Sequence, residues 1–117
     1  GMDEISISGA TKISEAVEGS VRTRYAAPEE FGVARAEADA IAGGDAATNA
    51  RIVLDILEGK PGPYREMVVA NTAAALVAAG LAANFLQGAE RAGEAIDTGA
   101  AKRTLEILRE FTQKHRH

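Results

Sequence analysis

Along the first third of the chain, apolar residues recur at close to every second position. Ile5, Ile7, Ile13, Val17, Val21 and Tyr25 sit among serine, threonine and charged residues, which is the period of strands with one buried face. Gly9-Ala10 reads as one turn. Glu18-Gly19-Ser20 reads as a tighter one, joining residues 12–17 to 21–26 as a hairpin. Pro28-Glu29-Glu30-Phe31-Gly32 follows as a short helical turn, opened by proline and closed by glycine.

Beyond this point the period becomes helical. A short stretch over residues 36–42 is halted by Gly43-Gly44, and Asp45 is placed to cap the next helix. Ala47, Ala50, Val53, Leu54 and Leu57 mark one face of that helix, with Gly59 at its end. The linker Lys60-Pro61-Gly62-Pro63 cannot be helical throughout, because its prolines lack amide donors and restrict their predecessors. Residues 67–79 are apolar nearly all round, which predicts a buried helix ending at Gly80. A third helix is expected over 84–98, turning Phe85, Leu86, Ala89, Ala92 and Ile96 inward, with Gly99 as terminator. The last is expected over 100–112 and uses Leu105, Leu108 and Phe111.

Composition sharpens this picture. Alanine accounts for 25 of the 117 residues, while aromatics make up only 4% and tryptophan is absent. Close-packed helices separated by small side chains are the natural use of such a chain. A core so poor in large residues is expected to be modestly stable alone, or to be completed by other protein. The net charge of −4, with both signs interspersed, argues against a nucleic-acid surface. No apolar run reaches the length of a membrane span, and no secretory signal is evident. Zero cysteines rules out disulfides and thiol chemistry and is compatible with a cytoplasmic location, which is the expectation here. Gly1 ahead of Met2 is either a tag remnant or interior sequence of a longer chain.

Candidate chemistry concentrates in the adjacent carboxylates Asp3 and Glu4. Hard oxygen donors suit Mg²⁺, which takes one or two carboxylates and leaves its other positions to water and substrate phosphate. The competing reading is a solvated acidic terminus, since consecutive strand residues point to opposite faces. Gly43-Gly44-Asp45 precedes a helix as phosphate loops do, but Asp45 would bring negative charge to where the phosphate sits, so it reads as a helix stop and start. Asn71 and Thr72, polar residues in an apolar helix, read as structural. Arg22, Arg24 and Arg51 read as surface charges, and His115 and His117 as parts of a frayed tail. No residue stands out as catalytic.

The run Gly43-Gly44-Asp45-Ala46-Ala47-Thr48-Asn49-Ala50-Arg51-Ile52-Val53-Leu54-Asp55-Ile56-Leu57-Glu58-Gly59 closely resembles the C-terminal part of anthranilate phosphoribosyltransferases. Its continuation from Gly62-Pro63-Tyr64-Arg65-Glu66 through Asn71-Thr72-Ala73 does so too, as does Ala95-Ile96-Asp97-Thr98-Gly99. Upstream, Gly1-Met2-Asp3-Glu4-Ile5-Ser6 resembles the family's Gly-Leu-Asp-Glu segment, and Pro28-Glu29-Glu30-Phe31-Gly32 a later stretch.

The resemblance implies a chain of α/β parentage: a short antiparallel β element, about residues 5–26, followed by four main α-helices. All of 1–117 would then be the C-terminal portion of the phosphoribosyltransferase α/β domain, without the N-terminal helical domain and the phosphate-binding half. Enzymes of the family transfer phosphoribosyl from phosphoribosyl pyrophosphate to anthranilate, releasing pyrophosphate, in tryptophan biosynthesis. Asp3 and Glu4 match the family's acidic pair that helps hold Mg²⁺. The family's Gly-Thr-Gly-Gly-Asp phosphate loop has no counterpart here, so the chain by itself is expected to be inactive. A homodimeric parent and a self-associating free chain are expected, with no nucleic-acid or membrane partner. The alternative is a stand-alone, non-catalytic interaction domain of the same fold family.

Overall fold

A computed structural model describes residues 4–115. Strands β1 (Thr11–Val17) and β2 (Ser20–Ala26) pair antiparallel as a two-stranded sheet. Two residues turn the hairpin, Glu18 with φ 48° and Gly19 with φ 81°. Positive φ at both central positions matches the right-handed twist of the flanking strands.

The register corrects the sequence-based assignment of faces. Ile13 lies opposite Arg24 and Val17 opposite Ser20, whereas Val21 pairs with Ala16 and Tyr25 with Lys12. The even-length turn therefore puts Val21 and Tyr25 on the opposite face from Ile13, and they are 71% and 67% exposed.

Ile5 and Ile7, expected in a strand, lie in irregular chain before β1. Their backbone finds other partners. The Ser6 amide donates to Thr11 Oγ1 (2.9 Å), and the Ser8 amide to Ser6 Oγ (3.1 Å). The Ile7 carbonyl accepts from the Ala36 amide (2.9 Å). The Ile7 side chain is fully buried in the core.

Short 3-10 turns occupy Pro28–Phe31 and Ala38–Ile41. The helices are α1 (Ala46–Leu57), α2 (Pro63–Ala78), α3 (Phe85–Asp97) and α4 (Ala100–Lys114). Asp45 caps α1 by accepting the Thr48 amide (2.8 Å), as its position predicted. Asn84 caps α3 the same way through Gln87 (2.8 Å). The second helix starts at Pro63, where the missing amide costs nothing because a first-turn N–H has no partner in any case.

The core forms where α2 meets α3. Val69, Ala70 and Ala73 face Phe85, Ala89, Ala92 and Ile96. Phe31 closes one end, its ring stacked on Phe85 with centroids 4.5 Å apart. A Cβ on Gly88 would lie 2.8 Å from the Ala73 carbonyl oxygen and 2.9 Å from its Cα. Only hydrogen fits there, so the two helix backbones nearly touch.

Two other expectations shift. In α1 Ile56 is buried, Ile52 joins the expected Leu54 and Leu57 as half-buried, and Ala47, Ala50 and Val53 face outward. The larger branched side chains take the core and the smaller ones yield. In α4, Leu105 is half-buried, but Ile107, Leu108 and Phe111 are 61%, 55% and 59% exposed. The apolar stripe was legible; its cover is not among the described residues. Similarly, α2 is apolar nearly all round, yet Val68, Leu76 and Val77 are only half-buried.

Substituting Gly88→Ala is expected to destabilise the chain by about 1–3 kcal/mol, the usual cost of forcing a methyl into a filled contact. This outweighs the roughly 1 kcal/mol that alanine otherwise gains over glycine inside a helix. Urea unfolding followed by circular dichroism measures the difference. A variant as stable as the parent would mean that the helices part freely.

Candidate functional site

Glu4 lies exposed in a bend at the N-terminal edge of the fold. Asp3, the other half of the acidic pair, lies outside the described residues. What the structure places firmly is the chain just after them. Asn71, on α2, accepts the Ile5 amide at Oδ1 (2.8 Å) and donates from Nδ2 to the Ile5 carbonyl (3.1 Å). Its second Nδ2 hydrogen goes to the Met67 carbonyl one turn back (2.9 Å). One side-chain amide thus takes the place of a neighbouring strand for one residue, which is why this segment needs no sheet partner. The sequence marked Asn71 as structural, and it is; its partner, 66 residues away, was not legible.

A mostly apolar cleft of about 440 Å³ opens beside Ile5, bounded by Ile13 and Val17 of β1 and by Ala74 and Val77 of α2. A larger open groove of about 540 Å³ runs between α2 and α3 and carries Glu66, Glu90, Glu94 and Asp97 around Arg65. Four carboxylates against one guanidinium make that groove repellent to a phosphate or pyrophosphate.

Arg65 and Asp97 form a bidentate pair across the groove, Nη1 to Oδ1 at 2.8 Å and Nη2 to Oδ2 at 3.0 Å. The guanidinium is 17% exposed and the carboxylate 59%. The hydrogen bonds from Arg65 hold the Asp97 carboxyl below the ordinary aspartate range and push the Arg65 guanidinium up. This pair ties the start of α2 to the end of α3.

The remaining candidates resolve individually. Gly43-Gly44-Asp45 is not an anion cradle: the Gly44 amide donates to Asn49 Oδ1 (2.9 Å), and Asn49 Nδ2 returns a bond to the Gly44 carbonyl (3.0 Å). Arg24 does more than the sequence suggested. It pairs with Glu30 (2.8 Å) and lies 5.4 Å above the Phe85 ring, fastening the hairpin to the 28–31 turn. Arg51 pairs with Asp55 (2.7 Å) along α1, and Arg22 stands opposite Glu15 in the hairpin. Thr72 is exposed. His115 packs against Phe111 with ring centroids 4.3 Å apart and planes tilted by 41°, and His117 lies outside the described residues.

Among the described residues, no group of three or more histidine, cysteine or acidic side chains is placed to hold a metal. Asp3 and Glu4 are two carboxylate donors, the number and kind that Mg²⁺ takes while water and substrate oxygens complete its shell. Nor, among the described residues, is any helix long and apolar enough to cross a membrane.

A hairpin and an acid-bearing loop mounted on a helical layer form a piece of an α/β domain. The family model described as the glycosyl transferase family, α/β domain, matches residues 1–102, and the chain belongs to that family. It is 50% identical over 115 residues to an anthranilate phosphoribosyltransferase of Desulfatibacillum aliphaticivorans, a match that covers 98% of this chain and 34% of the relative. It is 45% identical over 113 residues to the corresponding protein of Syntrophomonas wolfei, covering 97% and 33%. The crystal structure of anthranilate phosphoribosyltransferase from Thermus thermophilus superposes with a TM-score of 0.87 at 30% identity, over 97% of this chain and 33% of that one. The chain therefore spans about a third of the length of the relatives it matches.

The Arg65–Asp97 pair gives a signed pH dependence. Because the folded state lowers the Asp97 pKa, its contribution is fully present above the ordinary value of 3.8 and is lost as pH falls through the lowered one. Asp97→Asn is expected to weaken the fold at neutral pH and to flatten its response to acid below about pH 4. Urea midpoints at stepped pH test this. Equal acid sensitivity in variant and parent would remove Asp97 from that role.

Proposed function

We propose that this chain supplies the C-terminal third of an anthranilate phosphoribosyltransferase, which moves phosphoribosyl from phosphoribosyl pyrophosphate to the amine of anthranilate. The observation that carries this is likeness along almost the whole chain to relatives so named, 50% identical over 98% of it in one case. Asp3 and Glu4 are the residues that would hold Mg²⁺. When bound, the ion neutralises charge on the departing pyrophosphate as the C–N bond forms.

The chain's own part in the reaction is to supply those two carboxylates. The segment that follows them is anchored by Asn71 through Ile5 and by the buried Ile7 side chain. The groove around Arg65 is too acidic to receive the pyrophosphate, which supports a phosphate cradle contributed by other sequence. The helical domain, the dimer contact and the anthranilate contacts would also lie outside this third. The setting is the cytoplasm, the compartment with which a cysteine-free chain is compatible.

The decisive assay joins this chain to the remaining two-thirds of the Desulfatibacillum relative as one polypeptide and measures phosphoribosyl transfer with Mg²⁺. Turnover is expected from the joined protein and none from the 117-residue chain alone. Asp3→Asn/Glu4→Gln is expected to lower kcat/KM by about 100-fold or more, the scale of losing a group that stabilises transition-state charge. A folded but inactive joined protein, or activity indifferent to both carboxylates, would sink the assignment.

The exposed Ile107, Leu108 and Phe111 support a further expectation for the isolated chain: reversible self-association through α4. Sedimentation should show a concentration-dependent mass that Leu108→Lys/Phe111→Lys abolishes. A monomer at all concentrations would count against it.

A further inference from the structure

We infer that Asn71 is a positioning residue for Glu4 of the acidic pair: its side-chain amide fixes Ile5, the residue that follows, without touching metal or substrate itself. This rests on the reading of Asp3 and Glu4 as the metal-holding carboxylates.

The geometry is specific about the amide. Nδ2 points its two hydrogens at two carbonyls, Ile5 at 3.1 Å and Met67 at 2.9 Å, and Oδ1 meets the Ile5 N–H at 2.8 Å. Rotating the amide by half a turn would set its oxygen against both carbonyls and its NH₂ against a donor, so one orientation alone is compatible with the three partners. The Met67 bond ties the side chain to its own helix, and the two Ile5 bonds transfer that fixed position to the loop. No other residue type supplies an acceptor and two donors at this reach: aspartate lacks the donors, serine lacks the span and glutamine is a methylene too long.

The anchor lies where it matters for charge. Ile5 is the residue after Glu4 and the second after Asp3. On its far side the chain is held again, by the Ile7 carbonyl bonded to the Ala36 amide (2.9 Å) and by the buried Ile7 side chain. Between Ile7 and the exposed Glu4, the Asn71 clamp bonds the backbone to the helical layer, and the half-buried Ile5 side chain packs against the core beside it. Carboxylates lose conformational entropy when they gather around a cation, and a loop already fixed loses less. Asn71 acts on the backbone beside the carboxylates, and groups that orient metal ligands typically affect metal affinity by about 10–100-fold.

The test uses the joined full-length protein and Mn²⁺ as a spectroscopic stand-in for Mg²⁺, titrated by electron paramagnetic resonance with phosphoribosyl pyrophosphate present. Asn71→Ala is expected to weaken Mn²⁺ binding by about tenfold or more and to speed hydrogen exchange at the Ile5 amide. The KM for anthranilate should stay within about twofold of the parent. Asn71→Ser, which restores a short polar group but not the clamp, should behave like Asn71→Ala and serves if the alanine variant folds poorly. Ile96→Val, a core change at the far end of α3, controls for lost stability and should leave Mn²⁺ affinity unmoved. Mn²⁺ affinity unchanged in both Asn71 variants, while Asp3→Asn/Glu4→Gln abolishes binding, would overturn this inference and leave the assignment of the pair intact. If the carboxylate variant itself binds Mn²⁺ normally, the assignment fails, and this inference with it.

Discussion

The whole arrangement depends on the contact between Gly88 and the Ala73 backbone. With no Cβ at one position and a single methyl at the other, α2 and α3 approach until main chain meets main chain. That closeness makes a core of Ala70, Ala73, Ala89 and Ala92 workable. Small side chains bury little area each, so their contribution lies in dense van der Waals contact that a wider spacing would forfeit. Phe31 and Phe85 supply the bulk that alanine cannot, at the open end of the same interface.

Once α2 is located, much of the surface is hung from it by polar side chains. Asn71 holds Ile5, Arg65 holds Asp97, the Tyr64 hydroxyl donates to the Ala42 carbonyl (2.6 Å), and Glu66 accepts the Ala34 amide (3.3 Å). Each link runs from a helix side chain to a loop, a turn or another helix. A chain with few large apolar residues thereby fixes irregular segments through backbone hydrogen bonding, where a richer core would use bulk. The consequence is exposure: apolar area remains open on α4 and on the flank of α2.

The acidic segment illustrates how site and scaffold join. Asp3 and Glu4 bring charge, and the structure around Glu4 brings placement. Asn49 at Gly44 and Asn71 at Ile5 use one device, a side-chain amide bonded to both the N–H and the C=O of a single residue. The first operates over five residues and belongs to a helix start. The second operates over 66 and connects the residue after Glu4 to the helical layer.

Local signals carried what local physics decides. The Glu18-Gly19 turn, the Asp45 cap, the glycine terminators and the helix periods were all legible, because each depends on residues within one or two turns. The acidic pair and its likeness to a transferase family were legible for the same reason: they are runs of letters. The unread features depend on partners distant in sequence. Ile5 and Ile7 alternate like a strand, yet Asn71 and Ala36 take their backbone bonds. Val21 and Tyr25 share the hairpin's apolar rhythm, yet the register turns them to the opposite face. Ile52 and Ile56 displace Ala47, Ala50 and Val53 from the core side of α1, and Arg24 becomes a fastener once Phe85 and Glu30 stand beside it. Sequence alone determined the hairpin, the four helices and which residues bear charge, since propensity, capping and period act at short range. Only the tertiary structure decided which faces are buried and what holds the Glu4 segment, since those follow from contacts that exist only after α2 and α3 have closed.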